Sequence, residues 1–241
     1  MKSIWIITKR EIASYFDSLI AYVMIVLFLG FSGFFTWLFG NHIFMINQAS
    51  LQVFFSISYW TLFFFIPAIT MRSLAEETRS GTIELLSTKA VSDPQIVSGK
   101  FLSCLLLVIV ALGCTLPYYL TLLFLGKVDH GAVMGGYFGL VLLSAAYISI
   151  GIFASSLSNN QVVAFLLALT IGIFFHVLFD VMAASFTGVM GEILNYLSAR
   201  AHFESISRGV LDSRDLIYFF SLAGMGLLLS QTMLSRRNWQ G

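Results

Sequence analysis

Charge is what this sequence has least of. Asp, Glu, Lys and Arg make up only 10% of its 241 residues, against roughly 25% in an ordinary soluble domain. Hydrophobic residues reach 58%, above the usual range of about 45–50%. A water-soluble fold of this length could not cover so much apolar surface with so few charges. A soluble globular protein is thereby excluded, and lipid must solvate much of the chain. The net charge is +1, with no basic stripe of the kind nucleic acid requires. No nucleic-acid partner is expected.

Cysteine is nearly absent too. Cys104 and Cys114 lie in one apolar run, about 15 Å apart at the helical rise and too far for a disulfide. There is no Cys-x-x-Cys and no His/Cys cluster, so no structural metal is expected. The chain lacks G-x-x-x-x-G-K-[ST], so it does not bind nucleotide through a P-loop. It also lacks H-E-x-x-H and G-x-S-x-G, and it offers no catalytic carboxylate pair or Ser/His/Asp arrangement. It is therefore not expected to be an enzyme or to bind a cofactor of its own. The first twenty residues carry Glu11 and Asp17 and lack a compact apolar stretch ending in a cleavage site, so they do not read as a cleaved signal peptide.

What the sequence does have is long apolar runs. A helix needs about 20 such residues to cross a bilayer, and six segments qualify: 19–40, 53–71, 101–125, 132–154, 162–179 and 216–234. They are too long for barrel strands and do not alternate. The pattern predicts an all-α polytopic membrane protein, one transmembrane domain over residues 1–241. Lysine and arginine orient it. One side holds Lys2, Lys9, Arg10, Arg72, Arg79, Lys89, Lys100, Arg236 and Arg237, and the other Lys127, Arg200, Arg208 and Arg214. Nine against four puts both termini in the cytoplasm, with the protein in the inner, cytoplasmic membrane. Trp5 and Trp239 near the inner interface and Trp37 near the outer one fit that orientation. Trp60 lies deeper and reads as a packing residue.

The connections are more distinctive than the spans. Residues 3–19 place Ile4, Trp5, Ile12, Tyr15, Phe16 and Leu19 on one side of a helix, with Arg10, Ser14, Asp17 and Ser18 on the other. That is an interfacial helix. Residues 72–100 hold eight of the 25 charged residues. Gly81 breaks a first helix, and residues 82–88 can form two turns with Ile83, Leu85 and Leu86 apolar. Asp93-Pro94 restarts a helix, with Asp as the N-cap and Pro at the first position. A solvated loop has no need of apolar residues at that spacing, so a partner is expected to pack there. Residues 155–161 form a short uncharged turn. Residues 181–212, on the outside, contain two short amphipathic helices, in GEILNYLSAR and HFESISRGVLD.

Within the spans, ionisable residues are the default functional candidates. His176 and Asp180 stand four apart near the outer end of the fifth span. They could form a proton relay, or Asp180 could sit at the interface with His176 hydrogen-bonded beneath it. A relay would continue through further ionisable residues, which favours the second reading. Pro67 and Pro117, the latter after Gly113, can kink their helices. Gly135 and Gly139 form a G-x-x-x-G packing face.

The interfacial helix, the six spans and the segment Glu76-Glu77-x3-Gly81-Thr82-x-Glu84-Leu85-Leu86 together resemble an ABC-2 type transporter permease. Closest are the small permeases associated with gliding motility (GldF-like), a likeness that extends to AHFESISRGVLDSRDLIYF at residues 201–219. The resemblance implies a transmembrane subunit that pairs with a second permease, an identical copy or a related chain. The pair would dock on a cytoplasmic ABC ATPase dimer of separate chains, which carries the ATP and Mg. Residues 3–19 would be the elbow helix and residues 82–88 the coupling helix. Ile83, Leu85 and Leu86 would supply contact, and Glu76, Glu77, Arg79 and Glu84 would set register. The implied function is ATP-driven transport, with export as the expected direction. A non-transporting anchor that transmits conformational change to a periplasmic protein is a second reading. A stand-alone secondary transporter or channel is a third, which would call for inverted repeats and midplane charges.

Overall fold

Lipid offers the backbone no hydrogen bonds, so each spanning segment must satisfy its own N–H and C=O groups, and helices do so. The computed structural model describes residues 2–39, 43, 48–81 and 92–237. Among those residues it is all-helical in class, with no strand and with six helices long and apolar enough to cross a membrane. Helix α1 (Lys2–Asp17) precedes span one, α2 (Ile20–Trp37). Span two is α3 (Gln52–Thr70), continued by the short α4 (Ala75–Ser80). Span three is α5 (Asp93–Gly113) with α6 (Leu116–Leu125), and span four is α7 (His130–Leu157). Span five is α8 (Gln161–Ile173), a π-helical turn (Phe174–Leu178) and α9 (Phe179–Ser185). Helices α10 (Val189–Leu197) and α11 (Ala199–Ser207) lead to span six, α12 (Ser213–Arg237).

Span four is the axis of the bundle. Its apolar window is 78% buried, against 22% for span five, and it packs on α3, α5, α8, α11 and α12. Small residues make this possible. A Cβ on Gly135 would strike the carbonyl oxygen of Ile206, and one on Gly139 would crowd Phe203 and Ile206. The G-x-x-x-G face therefore receives α11, and the second amphipathic helix is folded back onto the bundle. By contrast, α2 leaves Val23, Val26, Leu27 and Phe31 exposed, as a lipid-facing helix should.

One expected detail is corrected. The helix opening span three is capped by Ser92, not Asp93. Ser92 and Gln95 form a capping box, whose reciprocal bonds satisfy two backbone donors where a lone Asp would satisfy one. Asp93 instead accepts a 3.1 Å bond from Ser235 on α12. Trp60 packs edge-on against His176 of span five, with ring centroids 4.6 Å apart, and its outer side stays exposed. In span three the break falls before Pro117. There Thr115 donates to the carbonyl of Leu112 at 2.6 Å and meets the Tyr137 hydroxyl at 2.9 Å.

Candidate functional site

Three chain segments converge at the foot of spans two and three. Leu19, at φ +61°, is the only non-glycine residue with positive φ among those described. That turn lets α1 leave span one and lie against α5. Thr8 donates to the carbonyl of Gly99 at 3.1 Å, and Tyr15 reaches the Cys104 sulfur at 3.2 Å. Contact is close because residue 99 is glycine: a Cβ there would lie 2.7 Å from Ile7 Cγ2. The docked face of α1 is thus Ile7, Thr8 and Tyr15, while Trp5 and Ile6 stay exposed.

The next residue, Lys100, is 1% exposed. Its ammonium lies 2.9 Å from Glu77 on α4 and 3.5 Å from Glu11 on α1. Arg10 reaches the same two carboxylates, at 2.7 Å to Glu11 and 3.2 Å to Glu77. Two cations and two anions thus balance across three helices. A buried ammonium costs several kcal/mol unless it is paired, and here it is paired twice. The hydrogen bond to Glu11, joined by the charges of Glu11 and Glu77, holds the Arg10 guanidinium above its ordinary pKa despite partial burial.

Helix α4 is fixed from above. Ser155, buried on α7, accepts from the backbone N–H groups of Leu74 and Ala75 at 3.0 Å each. It donates to the carbonyl of Met71 at 3.1 Å. One hydroxyl therefore satisfies the backbone on both sides of the turn between α3 and α4. The helix ends at Gly81, in the left-handed conformation at φ +70°. Of the residues expected to meet a partner, Glu77 turns inward to Lys100. Glu76 takes a two-pronged bond from Arg72, at 2.8 and 3.2 Å, on the more open side. Arg79 is exposed. Thr82, Ile83, Glu84, Leu85 and Leu86 lie outside the described residues.

His176 and Asp180 are not joined. The π turn adds a residue to the local turn and breaks the four-residue register that would have stacked them. The His176 ring inserts between Tyr59 and Phe63, at centroid distances of 4.0 and 4.3 Å, and its Nδ1 meets the Tyr147 hydroxyl at 2.7 Å. Tyr59 donates to the His176 carbonyl at 3.0 Å. Asp180 pairs with Arg200 at 3.4 Å. His176 is thus hydrogen-bonded, as the second reading has it, but to Tyr147 and not to Asp180.

A comparison with protein families matches residues 38–232 to the family described as ABC-2 family transporter protein. The match covers most of the chain. This chain belongs to the ABC-2 transporter family. No curated protein matches it. As a membrane subunit of an ABC transporter, the ABC-2 protein carries at one end of its bundle the ion cluster and the capped turn just described. Reading the sequence gave Glu77 its place in a motif but missed Arg10, Glu11, Lys100 and Ser155. In the sequence Lys100 is only a topological charge, and Arg10 one more polar residue on the far face of the first helix. Ser155, expected in the turn at 155–161, lies instead on α7, and nothing in the sequence marks it as a cap for another helix.

The other end of this ABC-2 protein is also tied. His202, on α11, bonds Asp215 on α12 at 2.6 Å and the carbonyl of Tyr196 on α10 at 2.9 Å, and its ring stacks on Tyr218 at 4.2 Å. The stretch 201–219 thus folds back on itself through its one histidine and an aspartate from its later half.

Proposed function

We propose that this permease subunit is driven by a cytoplasmic ABC ATPase acting on the loop at residues 72–100, in a complex with a second permease chain. The observation that carries the reading is the Lys100 cluster. It ties the elbow helix α1, the start of the loop at α4 and the end of the loop at α5 into one unit. A push on the loop then moves spans two and three together with α1 and is not lost in bending. An ATPase shifts the subunit only by binding one conformation better than another, and a loop braced at both ends can pass that bias upward as tilt. Ile83, Leu85 and Leu86 would supply the apolar contact. Glu76 and Arg79 would set register, and Glu77 acts as the inner brace. The stretch at 201–219 supports a place near the gliding-motility permeases.

The test is a complex purified with its ATPase. Leu85→Asp and Leu86→Asp should each leave insertion in the membrane intact while separating ATP turnover from the permease or releasing the ATPase. Normal co-purification together with normal coupled turnover would overturn the proposal.

A further inference from the structure

A cleft of about 290 Å³ opens where α10, α11 and the start of α12 meet. Glu192, Asn195 and Tyr196 line it from α10, and Asp212, Arg214 and Asp215 line it from the approach to α12. Asp215 has only 7% of its side chain exposed. One of its oxygens takes the bond from His202, while Oδ2 is buried with no hydrogen-bond partner among the described residues. A buried carboxylate oxygen left in this way is costly, and it belongs to a residue in the cleft wall. Glu192 and Arg214 also line the cleft, and neither makes an ion pair among the described residues. Arg200 and Arg208, by contrast, are bound to Glu204.

The same α10 that supplies Glu192 and Asn195 carries Val189, Met190, Ile193 and Tyr196 as exposed apolar residues. In a membrane protein such a helix lies in the interface, with its apolar stripe in the acyl region and its polar side at headgroup depth. A cleft at that depth holding carboxylates and one uncommitted guanidinium matches a ligand that bears both charges. We infer that it binds the headgroup of an amine-bearing phospholipid, phosphatidylethanolamine in chemistry. The ammonium goes to Glu192 and Asp215, the phosphate to Arg214 and the Asn195 amide, and the acyl chains lie along the stripe of α10. Choline lacks the N–H donors this arrangement uses, and an anionic headgroup would meet the carboxylates. The inference rests on the membrane fold and does not depend on the ATPase.

Native mass spectrometry of the full chain released from detergent, with short-chain lipids added, tests it. Phosphatidylethanolamine should be retained about tenfold better than phosphatidylcholine or phosphatidylglycerol of the same chain length, the scale of one charge-assisted hydrogen bond. Glu192→Gln and Arg214→Gln should each remove that preference. Asp215→Asn should remove it too, but it also disturbs His202, so the first two variants decide. Soluble phosphoethanolamine should displace the lipid only at much higher concentration. Equal retention of the three lipids, or Glu192→Gln and Arg214→Gln proteins that bind like the parent, would overturn the proposal. Phosphoethanolamine that binds as well as the lipid would overturn the membrane source.

Discussion

Lys100 is one of the few charged residues that the bundle encloses. Its positive charge helps to orient the chain, and that use treats it as a solvated loop cation. The fold encloses it between Glu77 and Glu11, which come from segments far apart along the chain, and no local pattern announces such a meeting. Removing one partner from a buried ion cluster is costly because the remaining charges are left unbalanced. Lys100→Met should therefore lower stability by about 3 kcal/mol or more, since Glu11 and Glu77 would then lose the buried cation they share. Adding Glu77→Gln should restore part of the loss by removing the surplus anion. Thermal unfolding in detergent measures both variants. A Lys100→Met protein as stable as the parent would mean that the cluster braces nothing.

At the scale of elements, the sequence disclosed helices well and their joints poorly. The six long apolar runs and helix α1 follow from hydropathy and period, which are local properties. The joints depend on tertiary partners. The turn between α3 and α4 exists because Ser155 arrives from α7, and the π turn in span five shows itself only through Tyr59, which takes up the His176 carbonyl. The start of α5 was legible in kind but displaced by one residue, because Ser92 with Gln95 outcompetes Asp93. Ser155→Ala would leave two buried N–H groups and one carbonyl without their partner. Each such orphan costs about 1–3 kcal/mol. The amides of Leu74 and Ala75 should then exchange with deuterium at least about tenfold faster, while amides in the middle of α7 keep their protection. Unchanged exchange at 74 and 75 would show that Ser155 does not hold the joint.

For the whole molecule, span four is the most buried of the spans that reach both candidate ends. Near one end Ser155 caps α4, beside the cluster of Arg10, Glu11, Glu77 and Lys100. Near the other, Gly135 and Gly139 seat α11, which carries His202 to Asp215 and so forms a wall of the lipid cleft. A rigid, mostly buried helix with a fixed contact at each end can relate the two, whereas the lipid-exposed α2 and α8 have little to hold them in register. The far contact can be broken alone. Gly135→Ala puts a methyl group against the Ile206 carbonyl, with the backbone of Gly209 also close. Backbone cannot move aside as a flexible side chain can, so α11 must lift, at a cost of about 1–3 kcal/mol. Trypsin should then cut at Arg200 and Arg208 roughly tenfold faster, because cleavage follows the population of the opened state. Met134→Ala, at an exposed neighbouring position, should leave cleavage unchanged. If Gly135→Ala left proteolysis at the parent rate, α11 would not be held by the glycine face. If cleavage rose and phosphatidylethanolamine retention fell with it, the seat of α11 and the lipid cleft would be one structural unit.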